Sequence, residues 1–133
     1  MISTEYVAGW FDGEGCIHVS EDKYTSTLHV IVGQAYRPIL EEVLLKYGGH
    51  ISKERSRENH KTIWQWSCKS KLAEAFLADI YPFLHEKKKQ AWLALEFRAQ
   101  CFVVQHGPYR PVTDEEHALR RGFALAIKLE KSQ

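Results

Sequence analysis

Two carboxylates stand two positions apart near the start of the chain, in the stretch Val7-Ala-Gly-Trp-Phe-Asp-Gly-Glu-Gly15. Tyr6, Val7, Trp10 and Phe11 are apolar at helical spacing, so the stretch opens as a helix. Gly13 can take the left-handed conformation that closes a helix. That places Asp12 in the last turn, where the macrodipole disfavours an anion, and Glu14 in a tight turn between two glycines that leads into a strand. Two carboxylates so placed have two readings. They can serve a hard cation, since Mg²⁺ is commonly held by one or two carboxylates together with substrate phosphate oxygens, or they can simply belong to a solvated turn. Ala8 and Gly9 add a further hint, because small residues on one side of a helix let another backbone come close.

The next chemically suggestive group is a polar strand face. Cys16 to Lys23 alternates, with Ile17 and Val19 apolar and His18, Ser20 and Asp22 polar. Thr25 to Val32 does the same, with Leu28, Val30 and Val32 against Thr25, Thr27 and His29. Period two with one apolar face predicts two half-buried strands, and the link around Asp22 to Ser26 suits a hairpin. A later strand, Thr62 to Cys68, puts Trp64, Trp66 and Cys68 on one face and Ile63, Gln65 and Ser67 on the other. The polar faces favour Thr, Ser, His and Gln. They read either as a solvated surface or as a ribbon that hydrogen-bonds to base edges in a DNA groove.

The remaining elements position these groups. Ser3 or Thr4 can cap the first helix. Pro38 suits the first turn of a second helix, whose stripe is Ile39, Val43, Leu44 and Tyr47 and which Gly48-Gly49 ends. His50 to Arg55 pairs with Thr62 to Cys68 as a second hairpin around the loop SRENHK. A third helix starts near Leu72, buries Phe76, Ile80 and Phe83, and bends or ends at Pro82. Residues 86 to 104 form another helix, broken by HGPYRP, and Thr113-Asp-Glu-Glu116 is a capping box for a last helix to about Lys131. The order helix-strand-strand-helix-strand-strand-helix, then more helices, predicts an α+β fold: a four-stranded antiparallel sheet with helices on one face.

At 133 residues the expectation is one domain, 1–133, with a core at about 4–105 and a helical extension at about 107–133. Composition is that of a soluble globular chain, 44% apolar and 26% charged. No apolar run reaches membrane-spanning length, and the N-terminus does not read as a signal peptide. Cys16, Cys68 and Cys101 have no zinc-ligand spacing and read as thiols of an intracellular, reducing compartment. Net charge is only +1, yet it is unevenly spread. KERSRENHK (53–61) and HEKKKQ (85–90) are basic, while Glu41-Glu42 and Asp114-Glu115-Glu116 are acidic, compatible with one basic face.

The stretch Val7 to Gly15 resembles the signature motif of the LAGLIDADG homing endonucleases, with Trp10 and Gly13 as variants and Glu14 where the motif's last acid stands. The predicted element order is similar to that family's core, and PFLHEKKKQAWL (82–93) resembles its segment carrying an active-site lysine. The likeness spans roughly residues 4 to 105.

This resemblance implies a good deal. The fold is an αββαββα core with a saddle-like antiparallel sheet. The motif helices of two copies pack together through Val7, Ala8, Gly9, Trp10, Phe11 and Asp12, and with one motif per chain the protein is a homodimer. Glu14 and Gly13 are the metal ligands. Glu14, Gln34 and Lys87 are the catalytic residues, with Lys88 and Lys89 as alternatives to Lys87; Gln34 corresponds to a residue that orders active-site water. Asp12 fixes the end of the motif helix. The cofactor is Mg²⁺, with Mn²⁺ as a substitute and Ca²⁺ binding without supporting cleavage. The substrate is double-stranded DNA, hydrolysed by water to 5′-phosphate and 3′-hydroxyl ends. His18, Ser20, Asp22, Thr25, Thr27, His29, Gln65 and Ser67 contact bases, and Arg37, Lys53, Arg55, Arg57 and Lys61 contact phosphates or outer bases. Strands of about 8 residues reach roughly 26 Å, about 8 base pairs a side at about 3.4 Å each, so a pseudo-palindromic site of about 16 or more is implied. The resemblance also implies an intron-encoded protein. The competing reading is a non-cleaving binder on the same fold, an intron RNA maturase or a DNA-binding regulator.

Overall fold

The computed structural model describes residues 1–22, 25–54, 62–102 and 112–132. Arg55, Arg57, Lys61 and the stretch HGPYRP lie outside these residues. The elements run α1 (Thr4–Glu14), β1 (Gly15–Glu21), β2 (Ser26–Gln34), α2 (Arg37–Tyr47), β3 (His50–Lys53), β4 (Trp64–Lys69), α3 (Ser70–Ile80), a 3₁₀ turn (Tyr81–Phe83), α4 (Lys88–Cys101) and α5 (Asp114–Lys131). The four strands form one sheet in the order β1-β2-β4-β3, every neighbouring pair antiparallel. This is the α+β arrangement expected from the alternation.

Local signals act where the residue types place them. The Ser3 hydroxyl accepts from the Tyr6 N–H, and Thr113 does the same for Glu116, so both caps satisfy orphan donors. Pro38 sits in the first turn of α2. Gly48 and Gly49, at φ +78° and +101°, turn the chain into β3 in a conformation that a side chain would strain. Pro82 marks the end of α3, which tightens into the 3₁₀ turn.

The first helix differs from expectation at its end. Gly13 is helical, and α1 continues through Glu14 with no intervening turn before β1. The glycine that matters is Gly15, which caps the helix in an extended conformation. A Cβ there would collide with the Phe11 ring, so the absent side chain lets the strand leave directly beneath the helix. The fourth helix is also shorter than expected, since residues 85–87 are held by Asp12 before α4 begins.

Alternate residues Ile17, Leu28, Val30, Val32, Trp66 and Cys68 point from the sheet into the core and meet Val7, Ala8 and Phe11 of α1 and Phe76 of α3. The Phe76 ring lies 5.2 Å from Phe11, 4.9 Å from Tyr47 and 5.0 Å from Trp66. Such buried aromatics each contribute about 2–3 kcal/mol of transfer free energy. The Trp66 indole N–H donates to the Gly48 carbonyl at 2.9 Å, so its polar atom is satisfied. Cys68 and Cys101 are buried, and burial pushes the Cys68 thiol up to about 12. Cys16, in contrast, is exposed on the sheet's open face. α5 packs on α4 and along the outer edge of β1, burying Ile127. Among the described residues, no helix is long and apolar enough to cross a membrane.

Candidate active site and nucleic-acid interface

The two motif carboxylates are separated by helix geometry. Asp12 faces inward and is 8% exposed; its carboxylate accepts the His85 N–H at 2.7 Å and the Lys87 N–H at 3.0 Å. Hydrogen bonds to a buried charge contribute about 1.5–3 kcal/mol each. Asp12 therefore ties the end of α1 to the start of α4. Two positions on, Glu14 is exposed, and among the described residues no hydrogen bond or ion pair engages its carboxylate. It ends the helix, at the negative pole, where an anion is disfavoured.

The same clamp distinguishes the three lysines. The Lys87 ammonium donates to the Asp12 carbonyl at 2.5 Å, at the C-terminal end of α1 where a cation is favoured. Lys88 instead lies over the Tyr81 ring, 5.2 Å from its centroid, and Lys89 pairs with Glu130 at 3.5 Å. Only Lys87 of the three is tied to the helix that ends in Glu14. Gln34, the last residue of β2, reaches α1 from another side: its Oε1 accepts the Trp10 indole N–H at 2.8 Å. Glu14, Lys87 and Gln34 are thus all anchored to one helix.

The interface residues expected on α1 divide into two sets. Val7, Ala8 and Phe11 are fully buried and Asp12 nearly so, all turned into the chain's own core, which corrects their assignment to a contact with a second copy. The outward side carries Tyr6, Gly9 and Gly13, with Trp10 half-buried beside them. These positions share a helical face. A Cβ at Gly9 or Gly13 would meet nothing within 4 Å, so the thin surface of the helix is Gly9 and Gly13, with Ala8 on the other side.

The sheet's open face follows from register, because directly paired residues share a side. His18 pairs with His29 and His29 with Lys69; Ser20 pairs with Thr27; Cys16 with Ile31; Ser67 with Ile31 and His50; Gln65 with Gly33 and Ser52. His18, Ser20, Thr27, His29, Gln65 and Ser67 therefore line one surface as expected. Thr25 is exposed at the hairpin. Asp22 does other work: its carboxylate accepts the Thr25 N–H at 2.8 Å while its own N–H donates to the Thr25 carbonyl at 2.9 Å, closing the turn. Lys53 pairs with Trp64 and so lies exposed on the helix side at the sheet's end, not on the open face. Arg37 is engaged within the chain, 4.1 Å over the Trp64 ring and 3.0 Å from Glu41.

The face also holds residues that sequence reasoning missed: Cys16, Ile31, His50, Ser52 and Lys69. Alternation along His50–Lys53 was the available signal, but it shows a side only once the partner strand is known. At the centre the His18 and His29 rings stack, 4.7 Å apart and inclined by 10°, and Ser20 Oγ lies 2.8 Å from His29 Nε2. Burial lowers both pKa values, helped for His18 by His29 and Lys131 and for His29 by Lys69. Neutral imidazoles each offer one donor and one acceptor. The flank of α5 adds cations beside this surface: Lys131 Nζ lies 3.3 Å from Cys16 Sγ, and Arg121 pairs with Glu21 at 3.7 Å.

Among the described residues, no cluster of three or more His, Cys, Asp or Glu side chains could hold a metal ion. The donor set at the end of α1 is a single free carboxylate among terminal helix carbonyls. That is all oxygen and suits a hard cation whose remaining ligands come from a substrate or a second copy.

No protein-family model matches the chain, and no curated protein matches it either. Solved structures do. The homing endonuclease I-CvuI, in complex with the I-CreI target, matches at TM-score 0.75 and 19% identity over 96% of this chain and 80% of that one. The archaeal intron-encoded homing endonuclease I-Vdi141I, complexed with DNA, matches at 0.77 and 17% over 96% and 82%. The homing endonuclease I-TnaI matches at 0.67 and 17% over 98% and 97%. The chain whose opening motif resembles that signature has the LAGLIDADG homing endonuclease fold.

Proposed function

We propose that this chain is a site-specific, divalent-metal-dependent endonuclease that cuts both strands of a pseudo-palindromic DNA site as a homodimer. The observation that carries the proposal is the split fate of the motif's carboxylates. Asp12 is consumed by structure, and Glu14 is left free at an electrostatically unfavourable helix end with Lys87 held alongside. Groups kept at a stability cost mark functional sites more often than structural ones.

In this reading Glu14, with the carbonyl of Gly13, holds the divalent ion, Mg²⁺ by preference. When bound, the ion supplies positive charge against the scissile phosphate and its leaving oxygen. Lys87 adds a second positive charge there, and the Asp12 clamp keeps its ammonium from wandering. Gln34 presents its amide to water or phosphate oxygen. The open face, from His18 to Ser67, reads base edges, while Lys69 and the basic flank of α5 lie within reach of phosphates. Two copies meeting across Gly9 and Gly13 bring two Glu14 carboxylates together, and a two-fold protein reads a two-fold site. Each protomer is one catalytic domain, working in an intracellular, reducing compartment where Cys16 stays a thiol.

The test starts from sites selected out of a randomised DNA library. The protein is expected to cut the selected site with Mg²⁺ and to bind it uncut with Ca²⁺. Tight, specific binding with no cutting in either ion would establish the non-cleaving reading, as for a maturase or regulator.

A further inference from the structure

We infer that Trp10 is a positioning residue for Gln34, setting which end of the Gln34 amide faces the reaction. The inference rests on the endonuclease reading and adds a role to a residue so far placed only near the subunit contact.

Trp carries one N–H donor and no acceptor, so only the oxygen of an amide can face it. The 2.8 Å contact between Trp10 Nε1 and Gln34 Oε1 therefore fixes the amide's orientation chemically, without relying on how oxygen and nitrogen were told apart. The terminal torsion of a glutamine is otherwise broad and roughly two-fold, leaving an untethered side chain to present either end. With the oxygen committed, the NH₂ group points away carrying two donors, and among the described residues none claims it.

The anchor is rigid at both ends. Trp10 is half-buried against the core, one turn before Glu14. Gln34 closes β2 and pairs with Trp64 of β4. Both line a groove beside α1 with Tyr6 and Tyr36, so the amide stands at an accessible edge. The consequence is that Gln34 offers donors, not an acceptor, to whatever arrives there. A phosphate oxygen or the oxygen of an ordered water fits such a group, and a hydrogen-bond donor does not.

Trp10→Phe keeps most of the ring and removes the N–H. With the selected site and Mg²⁺, single-turnover cleavage is expected to fall by about tenfold, as positioning losses of this kind do, while DNA affinity in Ca²⁺ and the melting temperature stay close to wild type. The double variant Trp10→Phe/Gln34→Ala should cut no more slowly than Gln34→Ala alone, the non-additivity that marks two residues acting through one group. Wild-type cleavage by Trp10→Phe, or losses that multiply in the double variant, would overturn the inference and leave the endonuclease reading intact. An inactive wild type would retire both. Independently of activity, the Trp10 indole N–H resonance, assigned by its loss in Trp10→Phe, should exchange with solvent faster in Gln34→Ala. An unchanged rate would remove the hydrogen bond and the inference with it.

Discussion

Replacing Asp12 by alanine tests the clamp on which the site is built. The carboxylate is 8% exposed and accepts two backbone N–H groups, from His85 and Lys87. Each hydrogen bond to a charged group contributes about 1.5–3 kcal/mol, so the pair supplies about 3–6 kcal/mol, and the alanine variant leaves both donors without a partner. A chain of this size loses about 3–5 °C of melting temperature per kcal/mol. Asp12→Ala is therefore expected to melt about 10–25 °C lower, near the limit of a domain whose total stability is about 5–15 kcal/mol. Asp12→Asn should fall between the two, since its oxygen can serve one N–H while its NH₂ opposes the other. Thermal unfolding followed by circular dichroism gives the values, and a cleavage assay at low temperature reads the loosening of Lys87. A melting temperature for Asp12→Ala within about 2 °C of wild type would show that water replaces the carboxylate freely, and the clamp argument would fall.

Three further outcomes follow from the same geometry. Glu14→Gln should abolish cleavage yet melt at or slightly above the wild-type temperature, because removing an anion from a helix C-terminus gains about 0.3–1 kcal/mol; a variant that still cuts would show that Glu14 is not the metal ligand. Gly9→Leu should fold normally, since a Cβ there meets nothing within 4 Å, but sediment as a monomer; an intact dimer would move the contact elsewhere on the chain. The folded pKa values of His18 and His29 lie below 6.5, so the unfolded chain binds protons first and stability falls as pH drops through and below 6.5. His29→Gln should flatten that slope in melts taken across this range, and an unchanged slope would assign it to other groups.

The opening helix shows how far residue types can be read without a fold. Apolar spacing, the Ser3 cap and the glycines were enough to place α1 and to mark its end as chemically unusual. They could not show that Asp12 and Glu14 part company. Consecutive positions on a helix are about 100° apart, so the two acids point to different sides, but which side is inside depends on where β1, α3 and α4 pack. For the same reason Val7, Ala8 and Phe11 belong to the protein's own core and not to a partner's. Lys87 illustrates the point again: three adjacent lysines are equivalent in sequence, and only the start of α4 against α1 distinguishes them.

What the sequence determined by itself is everything that rests on local periodicity and caps: the alternation that makes strands, the stripes that make helices, the stops at Gly48-Gly49 and Pro82, and the order that makes the fold class. What tertiary structure alone decided is which groups share a surface. His50, Ser52 and Lys69 join the open face, while Lys53 falls on the helix side, because strand pairing is non-local and a register shift of one residue reverses every side chain. The clamp at Asp12 and the orientation of Gln34 by Trp10 likewise arise from contacts between residues 24 to 75 positions apart, which no local pattern encodes.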